Sequence, residues 1–249
     1  MAIDMRLTHL SPDQQAQLER LLLEPARAPS KGASPARDSA TPFPLSPQQL
    51  RIWCLAQMYP DLPLYNEAEA VRIDGSLDVR ALERALREIV RRHEALRVSI
   101  QVDDLSPSQQ VRSDLVAVLQ HVDLTDHPNQ ARALEQTLRD IHRAHFDLAR
   151  DPLFRFALIR LGPHEHVLLL VMHHVVCDAS SFDIVYRECA ALYPAFSADR
   201  VSPLPPSAGS LRVVVDDQLR AHHQAHDVSL DYWKRQLAGR IPARRWPRR

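Results

Sequence analysis

A chain of 249 residues with 45% hydrophobic and 25% charged residues has the makings of an ordinary globular protein, with core enough for one large domain or two small ones. Lys plus Arg equals Asp plus Glu at 31 each, so no global field favours nucleic acid or an anionic membrane. Three cysteines (Cys54, Cys177, Cys189) without a CxxC pair argue against a disulfide scaffold or a thiolate zinc site, and nineteen prolines against five glycines point to stiff connections rather than glycine-rich phosphate loops.

Residues 1–10 contain one Arg, one Asp and no hydrophobic region, so they do not read as a signal peptide, and no apolar run reaches the length of a membrane helix. The expected location is the cytosol. Ser11-Pro12-Asp13-Gln14 is a helix start, with Ser as N-cap and Pro at the first helical position; the helix runs to about Leu23, making 1–23 an N-terminal helical segment. Residues 24–43 are rich in Pro, Ala, Ser and Arg and nearly free of large apolar side chains. Such a stretch buries too little surface to offset its ordering entropy, and is expected to be a disordered linker that proteases cut first. A globular unit over 44–239 follows.

Ser46-Pro47-Gln48-Gln49 repeats the capping logic and opens a helix carrying Leu50, Trp53 and Leu55. The alternating segment Glu67 to Ile73 predicts a strand ending at Gly75. Asp78 caps an amphipathic helix with Val79, Leu82, Leu86, Ile89 and Val90 on one face. That helix ends in Arg91-Arg92-His93-Glu94-Ala95-Leu96-Arg97. Positive charge at a helix C-terminus complements the dipole, so His93 and Arg97 are assigned structural roles. Strands are expected over Leu96 to Val102 and Leu115 to Val122. Between Pro128 and His145 a helix places Ala131, Leu134, Leu138, Ile141 and His145 on one face, with His145 read as a core histidine.

The stretch that organises the chain comes next. Phe154 to Leu161 and Glu165 to Met172 form a hairpin about the Gly162-Pro163 turn, and its second, apolar strand runs into His173 and His174. In an extended strand only one of two neighbouring side chains faces a given side, so one imidazole can face a cavity while the other packs inward. Asp178 lies past a short turn, where it can anchor an imidazole or hold the loop. A neutral histidine is the usual group to take or steer a proton near pH 7, which makes this a catalytic layout. The competing reading is a purely structural histidine pair at a strand end. A following helix buries Phe182, Val185, Cys189 and Leu192. After a Pro/Ser loop over Val201 to Ser210, two helices are expected, Leu211 to Gln224 and Ser229 to Leu237. His222 and His226 sit one turn apart, but nothing acidic or thiolate converges with them and a solvated face is the better reading. Residues 240–249 hold five arginines and one Trp. Such a basic tail is only a weak sign of contact with RNA or DNA, and an out-of-frame end accounts for it at least as well.

Several of these segments carry a resemblance. His173, His174 and Asp178 match the HHxxxDG motif of the condensation domains of nonribosomal peptide synthetases, which share their fold with chloramphenicol acetyltransferase; Ala179 stands in place of the motif's glycine. Ser46, Gln49, Arg51, Trp53 and Leu55 match the family's opening motif SxAQxRxWxL, with Gln48 for its alanine. Arg92 to Arg97 is its RHExLR motif without substitution. Phe146-Asp147-Leu148 with Pro152-Leu153-Phe154-Arg155 resembles its FDL…PLxR stretch, and Tyr232 to Gly239 its YWxxQLxG segment.

The resemblance implies an α/β (α+β) fold: one chloramphenicol acetyltransferase-like lobe with a mixed sheet backed by helices, ending before the family's second lobe. It also implies an active site in a tunnel between lobes, of which this chain would supply one wall. By resemblance, His174 is the residue placed at a reacting amine, His173 is its partner in the motif, and Asp178 holds the loop through ion pairing. The implied reaction forms an amide between a carrier-bound acyl or peptidyl thioester and a carrier-bound aminoacyl amine. No metal, nucleotide or cofactor of its own is expected, since substrates ride on the phosphopantetheine of partner carrier proteins. Those carriers and other synthetase modules are the implied partners, with no nucleic acid and no membrane. Two alternatives stay open. One is a catalytically inactive remnant or carrier-interaction module. The other, disfavoured by the first two motifs, is an ester-forming acyltransferase of the kind exemplified by wax-ester synthases.

Overall fold

Residues 11, 13, 16, 41–60, 62–103, 106–206 and 210–238 are described in a computed structural model, with backbone alone over 225–228. Most of the N-terminal 1–23 segment, nearly all of the 24–43 linker and the 240–249 tail therefore lie outside the described residues. Chain order is β1 (Phe43–Pro44), α1 (Pro47–Met58), β2 (Asn66–Asp74), α2 (Val79–Arg92), a 3-10 turn (Glu94–Arg97), β3 (Val98–Asp103), β4 (Ser106–Val111) and β5 (Leu119–Asp123). Then come α3 (Gln130–Arg143), β6 (Phe154–Gly162), β7 (Glu165–His173), α4 (Ala179–Ser197) and α5 (Leu211–Leu237).

The strands form two sheets, β1-β4-β3 and β2-β7-β6-β5, and in the larger one only β5 runs parallel to its neighbour. β7 lies between β2 and β6 with both faces covered, which is why its sequence is a continuous apolar run rather than an alternating one. Val167, Leu169 and Val171 join one core with Trp53 of α1, Ile141 of α3 and Ile100 of the small sheet. Leu168, Leu170 and Met172 join a second core with Leu86 and Ile89 of α2 and Phe182 and Val185 of α4. The result is a mixed sheet backed by helices, the architecture the sequence implied. The β2–β7 register pairs Asn66 with His173 and Glu67 with Met172, which fixes the strand end where both histidines stand.

Local chemistry sets the helix starts. Ser46 and Gln49 make a reciprocal capping box at α1, and the Asp78 carboxylate accepts the Ala81 N–H at 3.0 Å at α2. Gly75 takes φ +116°, a turn that a side chain would strain, and ends β2.

Three expectations are corrected and one strand is added. Ser106–Val111 is a strand that its polar composition concealed; it pairs on both sides and buries Gln109 completely. The strand expected from Leu115 begins only at Leu119. His145 is not a core histidine: α3 stops at Arg143, so the residue leaves the helical face and is exposed. Residues 211–237 form one continuous helix rather than two. In addition, β2 is the outer strand of its sheet and exposes both faces from Glu67 to Arg72. Among the described residues no helix is long and apolar enough to cross a membrane.

Candidate active site

The two histidines at the end of β7 diverge. His173 is buried; its N–H donates to the Leu153 carbonyl at 3.0 Å, and its Nδ1 accepts the Val175 N–H at 3.2 Å. The ring meets Phe146 edge-on, with centroids 5.9 Å apart, and Tyr65 at a tilt. Burial, reinforced by His174, His145 and Arg155, pushes His173 down to about 4. It is therefore neutral near pH 7, and because Nδ1 is an acceptor the ring proton sits on Nε2. His173 also forms part of the wall of a cavity of about 470 Å³ between the end of α1 and the 143–148 segment.

His174 continues the β2–β7 ladder by one residue, its N–H donating to the Tyr65 carbonyl at 2.7 Å. Its side chain is 36% exposed and lines a different groove, of about 470 Å³, together with Ser46, Gln49, Ile52, Asp178 and Gln218. The Nδ1 atom is buried without a hydrogen-bond partner, and the nearest acidic oxygen, Oε1 of Glu67, is 4.0 Å away.

The loop between β7 and α4 is held from below. Gln49 Nε2 donates to the Val175 carbonyl at 3.2 Å and pairs reciprocally with the buried Gln109 amide, which also donates to the Pro44 carbonyl. The Val176 N–H and the Cys177 thiol both return to the His173 carbonyl. The opening motif thus braces the histidine loop through Gln49.

Asp178 is anchored differently from the ion pair that the resemblance implied. Exposed at the surface, it makes no ion pair among the described residues and is the N-cap of α4. Its Oδ1 accepts from Ser180 Oγ at 2.8 Å, Ser181 Oγ at 2.9 Å and Ser181 N–H at 3.1 Å, while its own N–H donates to Ser181 Oγ. Those hydroxyl hydrogen bonds hold its carboxyl below the usual carboxylate range. Ala179 is the first residue of α4, exposed and without positive φ, so its position does not need glycine's freedom.

In the Arg92 to Arg97 motif the charged side chains and His93 brace neighbouring elements. Arg97 donates to the Val90, Arg91 and Arg112 carbonyls, capping the end of α2. Arg92 and His93 both reach Glu188 of α4, and Glu94 accepts the Leu211 N–H that opens α5. Burial pushes the thiols of Cys54 and Cys189 up to about 11 and of Cys177 up to about 12, which makes them poor nucleophiles. Among the described residues no three His, Cys, Asp or Glu side chains gather as metal ligands, and the His226 side chain is outside those residues.

Residues 39–249 match the family described as "Condensation domain". The chain belongs to the condensation-domain family. It is 39% identical over 199 residues to chondramide synthase cmdD of Chondromyces crocatus, covering 79% of this chain and 5% of that protein. To phosphinothricin tripeptide synthetase PhsC of Streptomyces viridochromogenes it is 34% identical over 245 residues, covering 96% of this chain and 22% of the relative. Among solved structures, the starter condensation domain of rhizomide synthetase RzmA superimposes with a TM-score of 0.71 at 23% identity, over 82% of this chain and 49% of that one. The first condensation domain of the calcium-dependent antibiotic synthetase superimposes with a TM-score of 0.65 at 26% identity, over 76% and 44%. The chain thus spans about half of each solved condensation domain, a single lobe, and a small fraction of each synthetase. Within this condensation lobe the structure separates the paired histidines into one locked and one open side chain. Glu67, which the sequence reading passed over, stands nearest the open one; its parity with His174 becomes visible only once the β2–β7 register is known.

Proposed function

We propose that this lobe contributes one wall of a peptide-bond-forming site, with His174 as the group that orients the attacking amine and receives its proton. The observation that supports this reading is the divergence of the pair: His173 is neutral and locked, while His174 faces an open groove at the end of the central strand. In the reaction, the amine nitrogen of an aminoacyl thioester attacks the carbonyl carbon of an acyl or peptidyl thioester. The new ammonium passes a proton to the imidazole, the carbonyl re-forms, and the C–S bond breaks with the proton returned to the departing thiolate. The substrates arrive on the phosphopantetheine arms of two carrier proteins, which are the partners of this reading.

Full deprotonation of the amine is a small part of the task. An α-amino group titrates near pKa ~7.7–8.0, so removing its proton gains only about one power of ten at pH 7. Holding two tethered reactants in near-attack geometry can supply roughly 7–11 kcal/mol. The groove is open to solvent, so one lobe cannot guide both arms or exclude water, and the 249-residue chain by itself is expected to turn over at a negligible rate. The test mixes the chain with loaded donor and acceptor carriers, with and without a separately expressed second lobe from a relative, and follows dipeptidyl thioester by intact-protein mass spectrometry. Product that requires the second lobe and disappears with His174→Ala is the expected result. His174→Ala protein with unchanged turnover would overturn the assignment, and His174-dependent turnover by the chain alone would overturn the need for a second wall.

A further inference from the structure

We infer that Glu67 is the positioning residue of His174, its carboxylate accepting a hydrogen bond from Nδ1–H so that the Nε2 lone pair is left for the groove. This rests on the role given to His174 above. The starting point is a polar atom with no partner: His174 Nδ1 is buried and unbonded although its ring lines an open groove. A buried polar nitrogen without a partner is unfavourable, and the surroundings are expected to provide one. The ladder identifies the provider. Glu67 pairs with Met172, and His174 lies two residues beyond Met172, so Glu67 and His174 share a face as diagonal neighbours. Such neighbours are within reach of long side chains.

The distance agrees. Glu67 Oε1 is 4.0 Å from Nδ1, and the Glu67 side chain is 48% exposed on an outer strand, so a rotamer change can bring it to the ~2.8 Å of a charge-assisted hydrogen bond. Two other acceptors near the ring are already engaged: the Tyr65 carbonyl accepts the His174 backbone N–H, and the Asp178 carboxylate accepts from Ser180 and Ser181. The carboxylate selects a tautomer as well as an orientation. With a proton on Nδ1 it makes a bond; with a lone pair there, two acceptors face each other. The Nδ1–H form is therefore favoured, and it presents a bare Nε2 to an amine. His173 carries the opposite tautomer because the Val175 N–H occupies its Nδ1. Two adjacent histidines are thus set to opposite proton positions by two different partners.

The test uses the whole 249-residue chain labelled with ¹⁵N-histidine, the His174 signals being those lost in His174→Ala. Two-dimensional ¹⁵N spectra distinguish the tautomers without any turnover, so failure here is separable from failure of the functional reading. Expected are an Nδ1–H majority at His174 in the wild-type chain, its loss in Glu67→Ala, and its partial return in Glu67→Gln, whose amide oxygen can still accept the proton. His173 should keep its Nε2–H signature in all three. Because Glu67 is exposed, these variants are expected to fold; if Glu67→Ala does not, Glu67→Gln decides on the smaller shift. An unchanged His174 tautomer in the folded variants, or an Nε2–H majority in the wild-type chain, would overturn the inference.

Discussion

Replacing Asp178 with alanine distinguishes two accounts of how the loop after β7 is held. A buried ion pair stripped of one partner would lose on the order of 3–5 kcal/mol, because the remaining charge stays uncompensated in a dry environment. The structure instead makes Asp178 an exposed N-cap, bonded to one backbone N–H and two hydroxyls of Ser180 and Ser181. Loss of an N-cap costs about 0.5–2 kcal/mol, and the hydroxyls released here turn to water at little further expense. For a unit of this size each kcal/mol moves the midpoint by about 2–4 °C, so Asp178→Ala should melt only a few degrees below the wild-type chain and fold normally. Asp178→Asn, which keeps a capping oxygen, should lie between them. The carboxyl is depressed in the folded state, so its contribution is present above the unfolded carboxylate pKa of ~3.9 and fades as pH falls through the lower folded value. The gap between wild type and Asp178→Ala should therefore close in acid. Thermal melts by circular dichroism over pH 3–7 measure all three points. A variant that fails to fold, or one that loses more than about 3 kcal/mol, would refute the capping account.

His173 predicts a second pH effect of the same sign in a higher pH window. Its folded value of about 4 lies below the ~6.5 of an unfolded histidine, so the unfolded chain binds the extra proton and stability falls as pH drops from ~6.5 to ~4, by roughly 3 kcal/mol at most. In urea titrations, His173→Phe should show a shallower decline over that window. Gln49→Ala should cost about 1–3 kcal/mol by stranding the buried Gln109 amide and the Val175 carbonyl, and should raise protease sensitivity between Val175 and Ser181. Ala179→Gly should give no gain in stability and a loss of up to about 1 kcal/mol, read from the urea midpoint, because the position is helical.

Much of this lobe is written in local patterns. Val79 to Val90 repeats at helical spacing and begins at a capping aspartate, so α2 needs no distant partner to be recognised. His173 and His174 differ in facing because a strand alternates, which told in advance that the two imidazoles would part. The apolar run of β7 announced a strand with both faces covered. Other features depend on contacts between residues far apart in sequence. Ser106–Val111 is too polar to look like a strand and becomes one because β1 and β3 bond to its two edges. His145 left the core because α3 ended two residues before it, a boundary no periodicity marks. Asp178 could have sought an arginine or a helix N-terminus, and both suit a carboxylate; only the start of α4 at Ala179 decided between them. Glu67 meets His174 through a register that joins residues more than a hundred apart, and a one-residue slip would have turned it to the other face. Sequence alone determined the elements whose energetics are local and the residue types at the site. Tertiary structure decided which of those residues face one another, because pairing register and layer packing depend on the whole chain at once.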